Sequence, residues 1–256
     1  MLKGTFKKAA RGAWDESKGY LFVALVLTLI GILICFFSRC SVPSSGNNIS
    51  EEVSSTEEAV VEKLPGFIVP RDWTTYVLDN AFQISVPPTV ELQKEDDIYT
   101  QLVQKSPLYV DASSAIFHQK GLGNLSKGST QRYCRIMFQH EVANYGDFFR
   151  ATETAYLDAE TRTALKEMVS QELIPGTSFI VEPQIDWVDF NGIKAVRINY
   201  VRPGFNGAGP VTCQMYLLFN NKEFVKILLS YRESESDIWK DDFKKVITTF
   251  KWNTIF

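Results

Sequence analysis

The chain has 256 residues, 27 of them Lys or Arg and 30 Asp or Glu, for a formal net charge of −3, with 45% apolar residues, four Cys and two His. It is too apolar for a disordered chain, too acidic for a dedicated nucleic-acid binder and too poor in Cys for a disulfide scaffold. Two His also leave little material for a zinc centre or a His-based catalytic site.

The chain opens on a basic tail, residues 1–19, carrying Lys3, Lys7, Lys8, Arg11 and Lys18. Tyr20 to Phe37 follows as 18 uncharged residues with Thr28 as the polar side chain inside the run. As a helix rising ~1.5 Å per residue it extends ~27 Å, close to the ~30 Å hydrocarbon layer of a bilayer. A core helix of that length would carry a polar face, so we read 20–37 as one N-terminal transmembrane helix. Beyond it, Arg39 is the one basic residue within the next twenty. Cytoplasmic flanks retain Lys and Arg, which sets the N-terminus in the cytoplasm and the rest of the chain outside the cell (inner) membrane, periplasmic or extracellular. Trp14 and Tyr20 then fall at the inner headgroup level. The run exceeds the ~7–15 residues of a signal-peptide core, and neither Ser38-Arg39-Cys40 nor Val42-Pro43-Ser44 matches a small-residue cleavage site, so the span reads as an uncleaved signal-anchor.

Residues 38–66 read as a flexible acidic, Ser-rich linker, because the stretch from Ser41 carries five Glu against one Lys and too little apolar surface to offset its ordering entropy. A short helix from Glu57 to Leu64 is the alternative within it.

Residues 67–256 then form one exported globular domain, ample for a single core. Trp73–Leu78 and Phe82–Val86 predict a strand pair turning at Asp79-Asn80, the second strand alternating Phe82, Ile84 and Val86 with Gln83 and Ser85 and stopping at Pro87-Pro88. Ser114–Gln119 and Arg132–Glu141 are further strands, with Cys134, Ile136 and Phe138 on one face. Leu157, Leu165, Met168, Val169 and Leu173 repeat at helical spacing; Phe148 and Phe149 belong to a preceding helical turn, and Pro175-Gly176 ends the segment. A four-strand antiparallel meander follows: Ile185–Phe190, Asn191-Gly192 as hairpin turn, Ile193–Val201, a loop from Arg202 to Pro210, Val211–Phe219, Asn220-Asn221, and Phe224–Tyr231. The chain closes on a helix with Ser234 and Asp237 as a capping pair and Trp239, Phe243, Val246, Ile247 and Phe250 as an apolar stripe that suits the sheet face.

The opening hairpin with F-Q-I-S-V-P-P (Phe82–Pro88), the mid-chain helix, the N-G-I-K-A-V-R-I-N-Y meander (Asn191–Tyr200) and the final D-I-W-K-D-D-F-K-K-V-I-T-T-F (Asp237–Phe250) resemble the PsbP-like fold over about Trp73 to Trp252. That fold is shared by an extrinsic photosystem subunit, a Ran-binding import factor and bacterial envelope proteins. The resemblance implies an α+β domain, an antiparallel sheet with helices packed on it as an αβα sandwich, and a binding module more often than an enzyme. It supplies no shared catalytic motif.

The residues themselves point to little chemistry. His118 and His140 lie in strands outside any zinc-ligand spacing and read as partly buried, hydrogen-bonded side chains. No G-x-S-x-G occurs. Gly121–Thr130 has Gly and Lys127 but neither phosphate-loop order, and reads as a mobile surface loop. Asp96-Asp97 and Asp241-Asp242 read as solvated surface. Cys134 and Cys213 sit on apolar strand faces, where free Cys behaves as a small hydrophobe; the alternative is a disulfide, which an oxidising compartment permits if their Cα atoms lie within ~7 Å. The Gly/Pro-rich loop that carries Arg202 and Phe205 reads as a long hairpin connection; the alternative is a binding loop, with Arg202 and Phe205 as the candidates for contact with a partner. We expect a single-pass, membrane-anchored, non-enzymatic binding or assembly module of the cell envelope, with the membrane and an envelope protein as partners, and with no catalytic residues, metal, cofactor or nucleic acid. The alternative is a membrane-tethered hydrolase assembled from scattered residues.

Overall fold

Two pairs of left-handed residues set the hairpins. Asp79 (φ 51°) and Asn80 (φ 55°) join β2 (Thr74–Leu78) to β3 (Phe82–Val86), and Asn191 (φ 55°) with Gly192 (φ 77°) joins β7 (Val181–Phe190) to β8 (Ile193–Arg202). Positive φ at both central residues matches the twist of tightly paired strands, so Leu78 faces Phe82 and Phe190 faces Ile193. The computed structural model describes residues 61–103, 115–142, 157–171, 173, 176–220 and 223–253. Besides the two hairpins these hold β1 (Glu62–Lys63), β4 (Val90–Leu92), α1 (Ile98–Val103), β5 (Ala115–Gln119), β6 (Cys134–Val142), α2 (Ala159–Ser170), β9 (Val211–Phe219), β10 (Glu223–Arg232), α3 (Ser236–Thr248) and β11 (Lys251–Trp252).

The strands form two sheets. The larger has the order β1-β7-β8-β9-β10-β6-β5-β4 and the smaller β11-β3-β2. The larger sheet is antiparallel except at β1, which runs parallel to β7 with Glu62 opposite Val188. The α+β class is thus as expected, while the single antiparallel sheet is not: the opening hairpin stands in its own sheet, held to the C-terminus by pairing of Phe82 with Trp252. Its apolar face does not extend the meander but lies over it, so Phe82, Ile84 and Val86 join one core with Phe138, Leu229 and the α3 residues Trp239, Phe243, Val246 and Ile247. The other face of the large sheet carries a second core, in which Leu165 and Val169 of α2 meet Ile185, Ile198, Cys213 and Met215. Helices therefore flank the large sheet on both sides.

Two local expectations need correction. Ser234 does not cap α3; it sits in a short 3-10 turn, Glu233–Glu235, that feeds the helix without a side-chain cap. Glu235 instead anchors this turn, accepting from the Tyr133 backbone N–H at 3.1 Å and from Trp239 Nε1 at 2.9 Å. Ser85, placed on the wet face, is buried because Thr249 covers it, donating to Ser85 O at 3.2 Å and accepting from Ser85 N at 2.8 Å. The apolar span 20–37 and the pair Phe148-Phe149 lie outside the described residues; among the described residues no helix is long and apolar enough to cross a membrane.

Candidate functional site

Both histidines are built into carboxylate clusters. β5 is buried along its whole length, and His118 on it is 1% exposed. Pairing of β5 with β4 places Glu91 opposite, so Glu91 Oε1 lies 3.8 Å from Nδ1, while Asp97, just before α1, brings Oδ2 to 3.9 Å from Nε2. Nδ1 meets the Gln119 carbonyl at 3.1 Å; Nε2 is buried without a hydrogen-bond partner. The Tyr99 ring stands edge-on at 5.8 Å. His140 on β6 has Asp79 Oδ2 3.2 Å from Nδ1 and Glu223 Oε1 3.9 Å from Nε2, so it links the turn of the small sheet to the large one. Next to it, burial pushes the Glu141 carboxyl upward.

The carboxylates beside His118 also organise the Gly121–Thr130 segment, which is a braced loop and not a mobile one. Glu91 Oε1 accepts from Gly121 N at 2.8 Å and Gly123 N at 3.3 Å. Ser126 and Ser129 hydroxyls both donate to Gly121 O, at 2.8 and 3.1 Å, and Leu122 is buried. At Gly123 a Cβ would fall 2.7 Å from the Asp97 carboxyl carbon, which is why the residue is glycine. The backbone donors of Gly121, Leu122, Gly123, Leu125, Ser126 and Ser129 all go to protein acceptors.

The structure keeps the two candidate disulfide partners apart. Cys134 on β6 pairs with Tyr231 of β10, and Cys213 on β9 pairs with Ser230 of the same strand, so β10 stands between them. Two strand spacings of ~4.8 Å exceed the ~7 Å limit, and the thiols face opposite cores. Both remain buried thiols. Burial pushes Cys134 far above the usual thiol range.

Arg202 and Phe205 separate in role. Phe205 opens a 3-10 turn, Phe205–Gly207, and is 49% exposed. Ile180 and Val181 are exposed as well, and Val181 pairs with Val201, so all three apolar side chains stand at the same end of the large sheet. The turn is tight at its base, where a Cβ on Gly204 would lie 2.4 Å from Gly209 O. Arg202 points inward, donating through Nη1 to Pro203 O at 3.0 Å and through Nη2 to the Tyr133 hydroxyl at 3.4 Å. Burial opposes its charge, and the facing Tyr133 phenol and Cys213 thiol outweigh that, so its pKa is raised.

The sequence reading missed three features. Tyr133 and Ser230 carry hydroxyls 3.2 Å apart beside Arg202, and Arg135, opposite Ser230, donates through Nη2 to Tyr99 Oη at 3.3 Å. Arg197 binds Asp186 through Nε at 3.0 Å and Nη2 at 2.5 Å, and Glu62 through Nη2 at 2.6 Å, which ties β1 to the sheet. A groove of about 490 Å³ runs between α2 and β7 past Arg162, Lys166 and Gln184, and Arg162 is turned to the carbonyls of Leu157 and Ile185. Alternating charge on strands gave the only sequence signal for these, and it does not distinguish inward from outward Arg.

No family model and no curated protein matches the chain. Among solved structures it is similar to the cyanobacterial PsbP of Synechocystis sp. PCC 6803, at 11% identity and TM-score 0.44 over 73% of this chain and 96% of that one. It is also similar to LpqN of Mycobacterium tuberculosis, described as involved in cell envelope biogenesis, at 11% identity and TM-score 0.40 over 67% and 82%. A Bacteroides thetaiotaomicron protein matches at 12% identity and TM-score 0.42 over 72% of this chain; the chain spans 50% of that protein's length.

Proposed function

We propose that this chain is a single-pass, membrane-anchored binding module of the cell envelope, without catalytic activity, whose exported PsbP-like α+β domain meets a protein partner at the end of the large sheet bearing Ile180, Val181 and Phe205. The anchor and export rest on the uncharged run Tyr20–Phe37 and the excess of Lys and Arg before it. The observation that carries the binding role is the exposure of those three apolar side chains together, at 53%, 44% and 49%, on the rim of a sheet whose two faces are otherwise filled by core. Exposed apolar groups clustered on a rigid scaffold mark interaction surfaces. His118 and His140 support the same reading, because their rings are buried against carboxylates and not presented to solvent.

A photo-crosslinking residue placed at 205 in the full chain, in cells, tests this. The proposal expects one discrete adduct that disappears with Ile180→Asp and does not form from position 77, where Val77 is equally exposed elsewhere. Identical adducts from both positions, or domain residues shielded from protease added to intact spheroplasts, overturn it.

A further inference from the structure

β1 is a two-residue strand on a much longer edge. It pairs with β7 at Val188 and Asp189, so the β7 edge before Val188 carries no neighbouring strand among the described residues, which begin at Val61. Asp189 O accepts from Leu64 N on that side, and Ile185, four residues earlier in the same unbroken pairing with β8, turns its N–H and C=O to the same side.

Beside that open edge lies the groove of about 490 Å³, walled by Arg162, Thr163 and Lys166 of α2 and by Pro183, Gln184 and Ile185 of β7. Both charged residues on its walls are cations, one helical turn apart. Arg162 donates to the Ile185 carbonyl and, at 2.8 Å, to Leu157 O, both neutral acceptors. Among the described residues no carboxylate lies at ion-pair distance from Arg162 or Lys166. An unpaired strand edge with a cationic wall fits an extended, acidic segment.

We infer that Glu57–Val60 of this chain is that segment, continuing β1 backwards into the groove. The register decides the occupant. Glu62 faces Val188 and Lys63 faces Asp189 in parallel, and the same offset sets Val60 beside Asp186, Ala59 beside Ile185 and Glu57 beside Pro183. The Val60 N–H then meets the Ile185 carbonyl as the Leu64 N–H meets that of Asp189. Val61 packs against the second core, the one α2 covers, and alternation puts Ala59 and Glu57 on that face too. The small Ala59 passes Ile185, and the Glu57 carboxylate reaches Arg162 and Lys166. Pro183 and the register shift between Val181 and Gln184 end regular pairing, so the added strand stops there. The docking depends neither on the membrane anchor nor on the partner proposed above; in an anchored chain it shortens the spacer to residues 38–56.

Carbodiimide coupling of the full native chain in detergent micelles, which joins a carboxylate directly to an amine in contact with it, tests the pairing by peptide mapping. Glu57 should couple to Lys166 within one chain, several-fold more than to Lys120, Lys240 or Lys251, which are exposed elsewhere, and the yield should fall as salt screens the pair. A second measurement tests the register: with Glu58→Cys, Gln184→Cys should close a disulfide under mild oxidation, whereas Lys194→Cys, exposed on β8, should not. Coupling of Glu57 to all four lysines alike, a Glu57–Lys166 link found only between two chains, or cysteine pairs that close equally at 184 and 194 each overturn the assignment.

Discussion

Truncating Phe243 to alanine tests whether α3 and the large sheet share one core. The ring is fully buried, with centroids 5.7 Å from Tyr231 on β10 and 6.2 Å from Trp239 one turn earlier. Removing a buried Phe side chain costs about 3–5 kcal/mol in lost transfer energy and cavity. A domain of this size is stable by roughly 5–15 kcal/mol, and its melting point moves about 2–4 °C per kcal/mol, so Phe243→Ala lowers Tm by about 6–20 °C. Ile238→Ala, on the same helix but 40% exposed, is the control and costs within about 0.5 kcal/mol. Phe243→Asp goes further: it buries an unpaired carboxylate and abolishes the transition. Thermal melting of the full chain by circular dichroism reads all three. A Phe243→Ala melting point no lower than that of Ile238→Ala refutes the packing of this stripe on the sheet.

Glu235→Ala removes the acceptor for Tyr133 N and Trp239 Nε1 and the partner of Arg232, and should cost about 2–3 kcal/mol in urea titration; a loss within about 0.5 kcal/mol contradicts its role as the latch of α3. Asp158 caps α2 by accepting from Thr161 N at 2.7 Å, and this bond holds its carboxyl below the ordinary 3.8. A depressed pKa gives stability that is complete above that ordinary value and is lost as pH falls through the folded one. Asp158→Ala should therefore melt lower than the native chain at neutral pH, by about 1 kcal/mol, and the two curves should converge at strongly acidic pH; a constant offset across pH goes against the cap. Cys134 and Cys213 should resist iodoacetamide in the native chain and react fully in denaturant, with no peptide linking the two before reduction; a linked peptide contradicts their separation by β10.

The parts legible in the sequence are those whose residues state their own geometry. Asp79-Asn80 and Asn191-Gly192 accept positive φ, so both hairpins could be placed from their turns. The α3 stripe announced a helix face, and Trp239, Phe243, Val246 and Ile247 are all buried there. The short strands β1, β4 and β11 were not legible, because two or three residues carry no period and become strands only through their neighbours. β1 exists because Arg197 draws Glu62 in and Leu64 N donates to Asp189 O at 2.8 Å. Alternation says that one face is buried without saying against what, so it does not reveal that the opening hairpin stands in its own sheet. In a sheet covered on both faces, alternation loses its meaning altogether. The run Met215-Tyr216-Leu217-Leu218 on β9 is buried at every position and contributes to both cores, and that continuous apolar run was the available sign that Cys134 and Cys213 need not share a face. The same double cover leaves an Arg on such a strand no wet face to occupy. Arg135 and Arg202 therefore lean along the sheet toward phenolic hydroxyls, a placement fixed by which residue stands opposite on the next strand.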